Sequence, residues 1–188
     1  MELLSDHLST ESLQASITHV SAAPRDAGSL ALIVRRPAVG AREILAVGEL
    51  DPLVGLVGDT WDTRSSIRTT DGSPHPDMQL TLMNARFTAV LAGAPERWSL
   101  AGDQLYVDFD LSHEALPAGS RLAIGSAIVE ITDQPHTGCA KFTQRFGLDA
   151  LRFVNSPEGT ALRLRGANAR VVSAGTINVG DTVRRHTE

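Results

Sequence analysis

The chain has 188 residues, of which 42% are apolar, 21% charged and 4% aromatic, and its formal net charge is −5. At about 150 residues per domain this is one domain, large enough to bury roughly 70% of its unfolded surface without a disulfide or metal staple. The acidic balance, with a pI near 5.7, excludes the basic stripe of a nucleic-acid footprint and a surface suited to anionic membranes, but is compatible with a local basic pocket.

In chain order, Met1 to Leu13 hold Glu2, Asp6 and Glu11 but no Lys or Arg, unlike the start of a secretory signal. Ser9 to Ile17 reads as a short helix with Ser9 or Thr10 as its cap. Residues 1–27 are expected to form an extension packed on a domain of residues 28–185. Short β-type runs follow: Leu30–Val34, Glu43–Val47, Gln79–Met83, Phe87–Leu91 and Gln104–Phe109, the last with clear polar–apolar alternation. Between them, Thr69–Asp77 carries Asp71-Gly72 and two prolines, and reads as an exposed irregular loop. Arg121–Ile131 is the longest run, with a bend expected at Gly125. Lys141–Val154 reads as a helix because Phe142, Phe146, Ala150 and Phe153 recur at helical spacing, with a kink or break at Gly147. Ala161–Arg165, Ala169–Ser173 and Thr176–Val183 complete the strands. No apolar stretch approaches the roughly 18 residues of a membrane span. Many short strands with few helices predict a mainly β fold of the closed or partly closed barrel kind.

The only cysteine, Cys139, lies in His136-Thr137-Gly138-Cys139-Ala140-Lys141-Phe142. One thiol excludes an internal disulfide, a multi-cysteine zinc site and an iron–sulfur cluster. An unpaired cysteine also points to a reducing compartment, the cytoplasm. Cys139 sits at the start of the predicted helix, with Lys141, Arg145 and His136 nearby. A helix N-terminus and neighbouring cations favour a thiolate, which can attack an electrophile, carry a persulfide or bind a soft metal. The alternative is a small buried hydrophobe, the commonest fate of a free cysteine. No Asp or Asn partner marks a Cys-His hydrolase triad.

Arginines form the second group. Arg163 and Arg165 fall on one face of the expected strand Ala161–Arg165, where a guanidinium pair can grip an oxyanion or simply face solvent. Arg64 and Arg68 come much earlier. Three Gly-Asp pairs, Gly58-Asp59, Gly102-Asp103 and Gly180-Asp181, flank strands and are explained by turn chemistry. No GxGxxG or Walker element opens a helix, so neither a nicotinamide nor a flavin site is expected.

The ordered set Pro135-His136-Thr137-Gly138-Cys139-Ala140-Lys141-Phe142, Arg145-Phe146-Gly147, Arg165 to Val172, and Val179-Gly180-Asp181 resembles the MOSC domain family, named for the C-terminal part of molybdenum cofactor sulfurases. Gly55 to Asp59, Ala101 to Leu105 and Leu116 to Gly125 resemble its upstream elements. The resemblance covers roughly residues 28 to 185. It implies a β-barrel-like domain that binds the molybdenum cofactor, a molybdopterin. It implies that the metal or sulfur ligand is Cys139, with His136, Thr137 and Lys141 as motif neighbours and Asp103, Arg64 and Arg165 as further site residues. Arginines are expected on the pterin phosphate. Some relatives reduce N-hydroxylated compounds, which here would take electrons from a separate reductase. A sulfur carrier loaded by a cysteine desulfurase, and a binding module without chemistry, are the alternative roles. The chain departs from the family pattern at Gln104, where asparagine is more typical, and it carries no separate reductase barrel or pyridoxal-phosphate sulfurase domain.

Overall fold

A computed structural model describes residues 7–187. Seven strands close into a barrel. They are β1 (Ala27–Arg35), β5 (Leu80–Asn84), β6 (Leu105–Asp108), β7 (Arg121–Ile124), β8 (Ala127–Ile131), β9 (Ala167–Ser173) and β11 (Thr182–His186), with spatial order β11-β7-β8-β9-β5-β6-β1 and closure between β11 and β1. Strand β2 (Glu43–Leu45) extends the sheet beyond β1. Strands β3 (Val47–Asp51), β4 (Gly55–Leu56) and β10 (Gly175–Asn178) form a separate three-stranded sheet. The expectation of a mainly β barrel with a few helices holds. Among the described residues no helix is long and apolar enough to cross a membrane.

The strands read as nearly continuous apolar runs because both of their faces are covered. Leu30, Ile33, Leu82, Leu105, Val107, Val129 and Ile131 pack in one buried cluster inside the barrel. Their neighbours Val34, Met83 and Tyr106 point the other way and join Leu13, Phe87, Phe142, Phe146, Phe153 and Leu164 in a second cluster. With only 4% aromatics, the barrel interior rests on aliphatic side chains. Most of the phenylalanines serve the helical layer outside.

Three expectations are corrected. Phe87–Leu91 is not a strand but part of helix α3 (Ala85–Ala92), capped by the Asn84 side chain, which accepts from Phe87 N–H. The reason is topological: β5 and β6 are parallel neighbours, so the chain between them must cross back, and a helix does this. Ala161–Arg165 is not a strand either. Helix α5 (Pro157–Ala161) occupies its start, with Ser156 accepting from Gly159 N–H and Pro157 at the first turn. The chain then turns through Arg163 at φ 47, so Arg163 and Arg165 share no strand face. Finally, Thr176–Val183 is two strands, β10 and β11, separated by a turn in which Asp181 accepts from Asn178 N–H. The bend expected at Gly125 is the tight turn of the β7–β8 hairpin, where Ile124 pairs with Ala127.

Both expected helices are present, the first divided at Ser16 and continued to Ser21. Helix α1 (Thr10–Ala15) is capped by Ser9, and α2 (Ile17–Ser21) follows it. Residues 1–6 of the expected extension lie outside the described residues. Thr10 N–H donates to Asp149, and Leu13 is fully buried, so α1 lies against α4 (Ala140–Val154). Helix α4 is broken at Gly147, whose φ of 89 only glycine adopts readily. The helix begins one residue after Cys139.

Candidate functional site

Cys139 is the N-cap residue of α4, with an extended backbone (φ −128, ψ 177), and its carbonyl accepts from Thr143 N–H. Its thiol is exposed. The buried-hydrophobe reading therefore does not apply, because this cysteine fills no core space.

The thiol opens onto a cleft of about 370 Å³ that six cationic side chains line: Arg36, Arg42, Arg64, Lys141, Arg145 and Arg165. No carboxylate lines it. Two of the arginines are anchored by buried carboxylates. Arg36 makes a bidentate pair with Asp59 at 2.8 Å from both Nε and Nη2, and its own backbone N–H donates to the same carboxylate. Arg165 Nη1 pairs with Asp103 at 2.7 Å, its Nη2 donates to the Ala101 carbonyl, and its guanidinium lies 5.1 Å over the Phe142 ring. Among the described residues Arg42, Arg64, Lys141 and Arg145 have no carboxylate partner. Arg42 donates to the Ala41 carbonyl, Arg64 to the Thr60 hydroxyl and Arg145 to the Leu100 carbonyl.

Crowding of like charge marks this cleft energetically. Burial, followed by the charges of Arg145 and Arg36, pulls the Arg42 pKa down, and burial and Arg36 do the same to Arg64. Both stay protonated near neutrality; the Asp59 charge offsets part of the repulsion, and a bound anion would relieve the rest. Two guanidinium nitrogens, Nε of Arg42 and Nε of Arg165, are buried donors without an acceptor. Native interiors rarely leave such donors unmatched, and here both belong to residues that line the cleft.

Asp103 organises the floor. It is fully buried between Arg165 and His136, whose Nε2 lies 2.9 Å from the second carboxylate oxygen. Burial opposes its ionisation, but Arg165 and His136 outweigh that and hold its pKa at about 2. An ionised acceptor fixes the neutral His136 tautomer with its proton on Nε2. Burial and the Arg165 charge pull the His136 pKa below its ordinary value, against the opposing effect of Asp103.

Of the residues singled out from the sequence, Cys139, Lys141, Arg64 and Arg165 meet in the cleft. His136 and Asp103 stand behind Arg165 as its support. Thr137 faces a different cavity, on the other side of the 132–137 loop. Two of the three Gly-Asp pairs are more than turns: Asp59 and Asp103 are the buried counter-ions of Arg36 and Arg165. Gln104 is also explained. Its amide oxygen accepts from both Thr81 N–H and the Thr81 hydroxyl, and its nitrogen donates to the Gln79 carbonyl, so it ties the start of β6 to β5. Arg36 and Arg42 carried no sequence signal as site residues. The nearest to one is the pair Arg35-Arg36 before Pro37, where strand alternation sends one arginine to each face.

The fold and cleft together define a β-barrel protein with an accessible thiol set in an anion-receptive, arginine-lined site. The MOSC domain model matches residues 77–184, more than half of the chain, and the chain belongs to that family. Arg36, Arg42 and Arg64 lie before the matched stretch and are brought to it by β1 and the loops that follow. No curated protein matches the chain. Among solved structures, the YuaD protein of Bacillus subtilis is similar at 14% identity with a TM-score of 0.60, covering 86% of this chain and 97% of its own. YiiM of Escherichia coli is similar at 17% identity with a TM-score of 0.55, covering 85% of this chain and 70% of its own. YiiM of Geobacillus stearothermophilus is similar at 14% identity with the same TM-score of 0.55, covering 85% and 75%. At these identities the likeness establishes the fold.

Proposed function

We propose that this protein binds the molybdenum cofactor in the Cys139 cleft and works as a small molybdenum-dependent oxidoreductase on N-hydroxylated compounds, with electrons from a separate reductase. The observation that carries the reading is the pairing of an exposed thiol with six cations and two buried, acceptor-less guanidinium nitrogens. That donor set fits a phosphate-bearing group whose metal accepts a thiolate. When bound, the cofactor would supply oxygen-atom and electron transfer at molybdenum.

This chain's own residues have separable tasks in that reading. Cys139 offers sulfur from a helix N-cap, where the helix dipole favours negative charge. Arg42 and Arg145, with Lys141 at the rim, neutralise phosphate. Arg36 and Arg165 are pre-oriented by Asp59 and Asp103, so they reach the anion at little further entropic cost. His136 keeps Asp103 in place and remains neutral.

The test is metal analysis and pterin fluorescence on the protein made in a host that synthesises the cofactor, alongside Cys139→Ser. Molybdenum and pterin at near-equal amounts in the wild type, with molybdenum reduced in the variant, support the proposal. Neither molybdenum nor pterin in the wild type overturns it. The exposure of Cys139 favours one second reading, a sulfur carrier loaded by a cysteine desulfurase, because a donor protein can reach the thiol directly. Intact mass after incubation with a desulfurase decides that case: one added sulfur, lost in Cys139→Ser, supports it, and an unchanged mass overturns it.

A further inference from the structure

A second cationic feature lies outside the cleft. Behind the 132–137 loop is a cavity of about 110 Å³, whose walls include His113, Thr137, Asn155, Thr160, Arg163 and Arg165. Arg165 already has its counter-ion in Asp103. Arg163 does not. It is 7% exposed, and Nη1 donates to two backbone carbonyls, Leu111 at 3.1 Å and Leu116 at 2.6 Å. Among the described residues no carboxylate pairs with it, and no protein acceptor meets its Nε or Nη2. Asp133 is the one carboxylate lining the cavity, and its side chain is exposed to solvent.

Unlike the sealed Nε of Arg42 and of Arg165, the remaining Arg163 nitrogens keep contact with solvent, so the guanidinium is open to the cavity on that side. Neutral carbonyls satisfy two N–H groups but leave the positive charge unmatched, and three N–H donors remain. The backbone of Arg163 is also held at φ 47, a left-handed conformation that side chains other than glycine disfavour. His113 stands at the mouth close enough that the Arg163 charge, after burial, contributes to lowering its pKa. The cavity has room for a few water molecules or one small oxyanion.

We infer that this cavity is a second anion site, which takes a small inorganic oxyanion of the sulfate or phosphate class on Arg163, with Thr137 and His113 at its mouth. The site adjoins the Cys139 cleft through Arg165, which lines both, and does not rest on the cofactor reading. Its occupant would complete the Arg163 donor set and brace the 132–137 loop, which carries His136 and leads to Cys139. Asn155 ties that loop to the same wall by accepting from Gly138 N–H at 3.0 Å.

The test uses the full chain with Arg42→Ala and Arg145→Ala, which weaken the cleft as a competing anion site. Sulfate binding is followed by calorimetry at constant ionic strength, and selenate is located by anomalous scattering in crystals of the unmutated chain. Arg163→Met removes the charge. Asn155→Asp leaves Arg163 in place, keeps an acceptor for Gly138 N–H and supplies an internal carboxylate, so it stays informative if Arg163→Met fails to fold. Selenate beside Arg163, and sulfate binding weakened about tenfold or more by either substitution, are expected. Selenate confined to the cleft or absent, or sulfate affinity unchanged by Asn155→Asp, overturns the inference and leaves Arg163 as a tie between loops.

Discussion

Replacing Asp103 by asparagine keeps the shape of the side chain and removes the charge that Arg165 and His136 face. The carboxylate is fully buried, 2.7 Å from Arg165 Nη1 and 2.9 Å from His136 Nε2. Burial raises its pKa, but the guanidinium and the imidazole N–H more than reverse this and set it at about 2, against an unfolded value of about 3.9. A carboxylate with a depressed folded pKa contributes stability that is fully present above the unfolded pKa and is lost as pH falls through the folded one. The gap of roughly two units corresponds to about 2.5 kcal/mol. Removing one partner of a buried ion pair costs about 3–5 kcal/mol, because the other charge is stranded. The asparagine oxygen retains one hydrogen bond, so the expected loss at pH 7 is about 3 kcal/mol. By pH 3 the difference between wild type and variant should fall by about half, since the unfolded wild type has taken up most of its proton while the native carboxylate has not. Urea unfolding of both proteins from pH 7 to pH 3 measures this as a shift in midpoint at constant m. An equal midpoint at pH 7, or a difference that stays constant down to pH 3, refutes the reasoning.

Gly166→Ala should destabilise by about 3 kcal/mol or more: its φ is +115, and an added Cβ would lie 2.5 Å from the Leu82 carbonyl oxygen and 3.1 Å from the His136 ring. Gly72→Ala is the control, because φ there is +73 with nothing within 4 Å, so only the left-handed strain of about 1 kcal/mol applies; equal thermal shifts for the two would refute the steric argument. His136 has a folded pKa below its ordinary value, chiefly through burial and Arg165. The native state therefore holds fewer protons than the unfolded one below about pH 6.5, and the contribution of His136 to stability falls as pH drops through that range. The stability difference between wild type and His136→Gln should shrink from pH 8 to pH 5, and a difference that grows toward pH 5 would show that His136 gains its proton on folding.

Much of this protein is written locally in its chain. The single exposed-or-buried question at Cys139 aside, its position at a helix start follows from the turn residues before it and the 3.6-residue recurrence of Phe142, Phe146, Ala150 and Phe153 after it. The Gly147 break, the Ser9 cap and the Gly125 turn follow from equally local chemistry, as do the strands Leu30–Val34 and Gln104–Phe109. The ordered motifs around Cys139 identified the family. The misread segments are those where a non-local demand overrode local pattern. Phe87–Leu91 is helical because β5 and β6 run parallel and need a crossover, and nothing within these five residues reports how their neighbours pair. Ala161–Arg165 alternates like a strand, yet Ser156 and Pro157 start a helix just before it, and Arg163 then turns left-handed. Tertiary structure alone made the site. Barrel closure brings Arg36 from just past β1, Arg42 and Arg64 from loops, Arg165 from the turn before β9, and Lys141 and Arg145 from α4 around one thiol. It also converts Asp59 and Asp103 from apparent turn residues into buried counter-ions. Charge complementarity acts through space over a few ångströms and has no period along the chain, so sequence could supply the residue types but only the closed barrel could choose their partners.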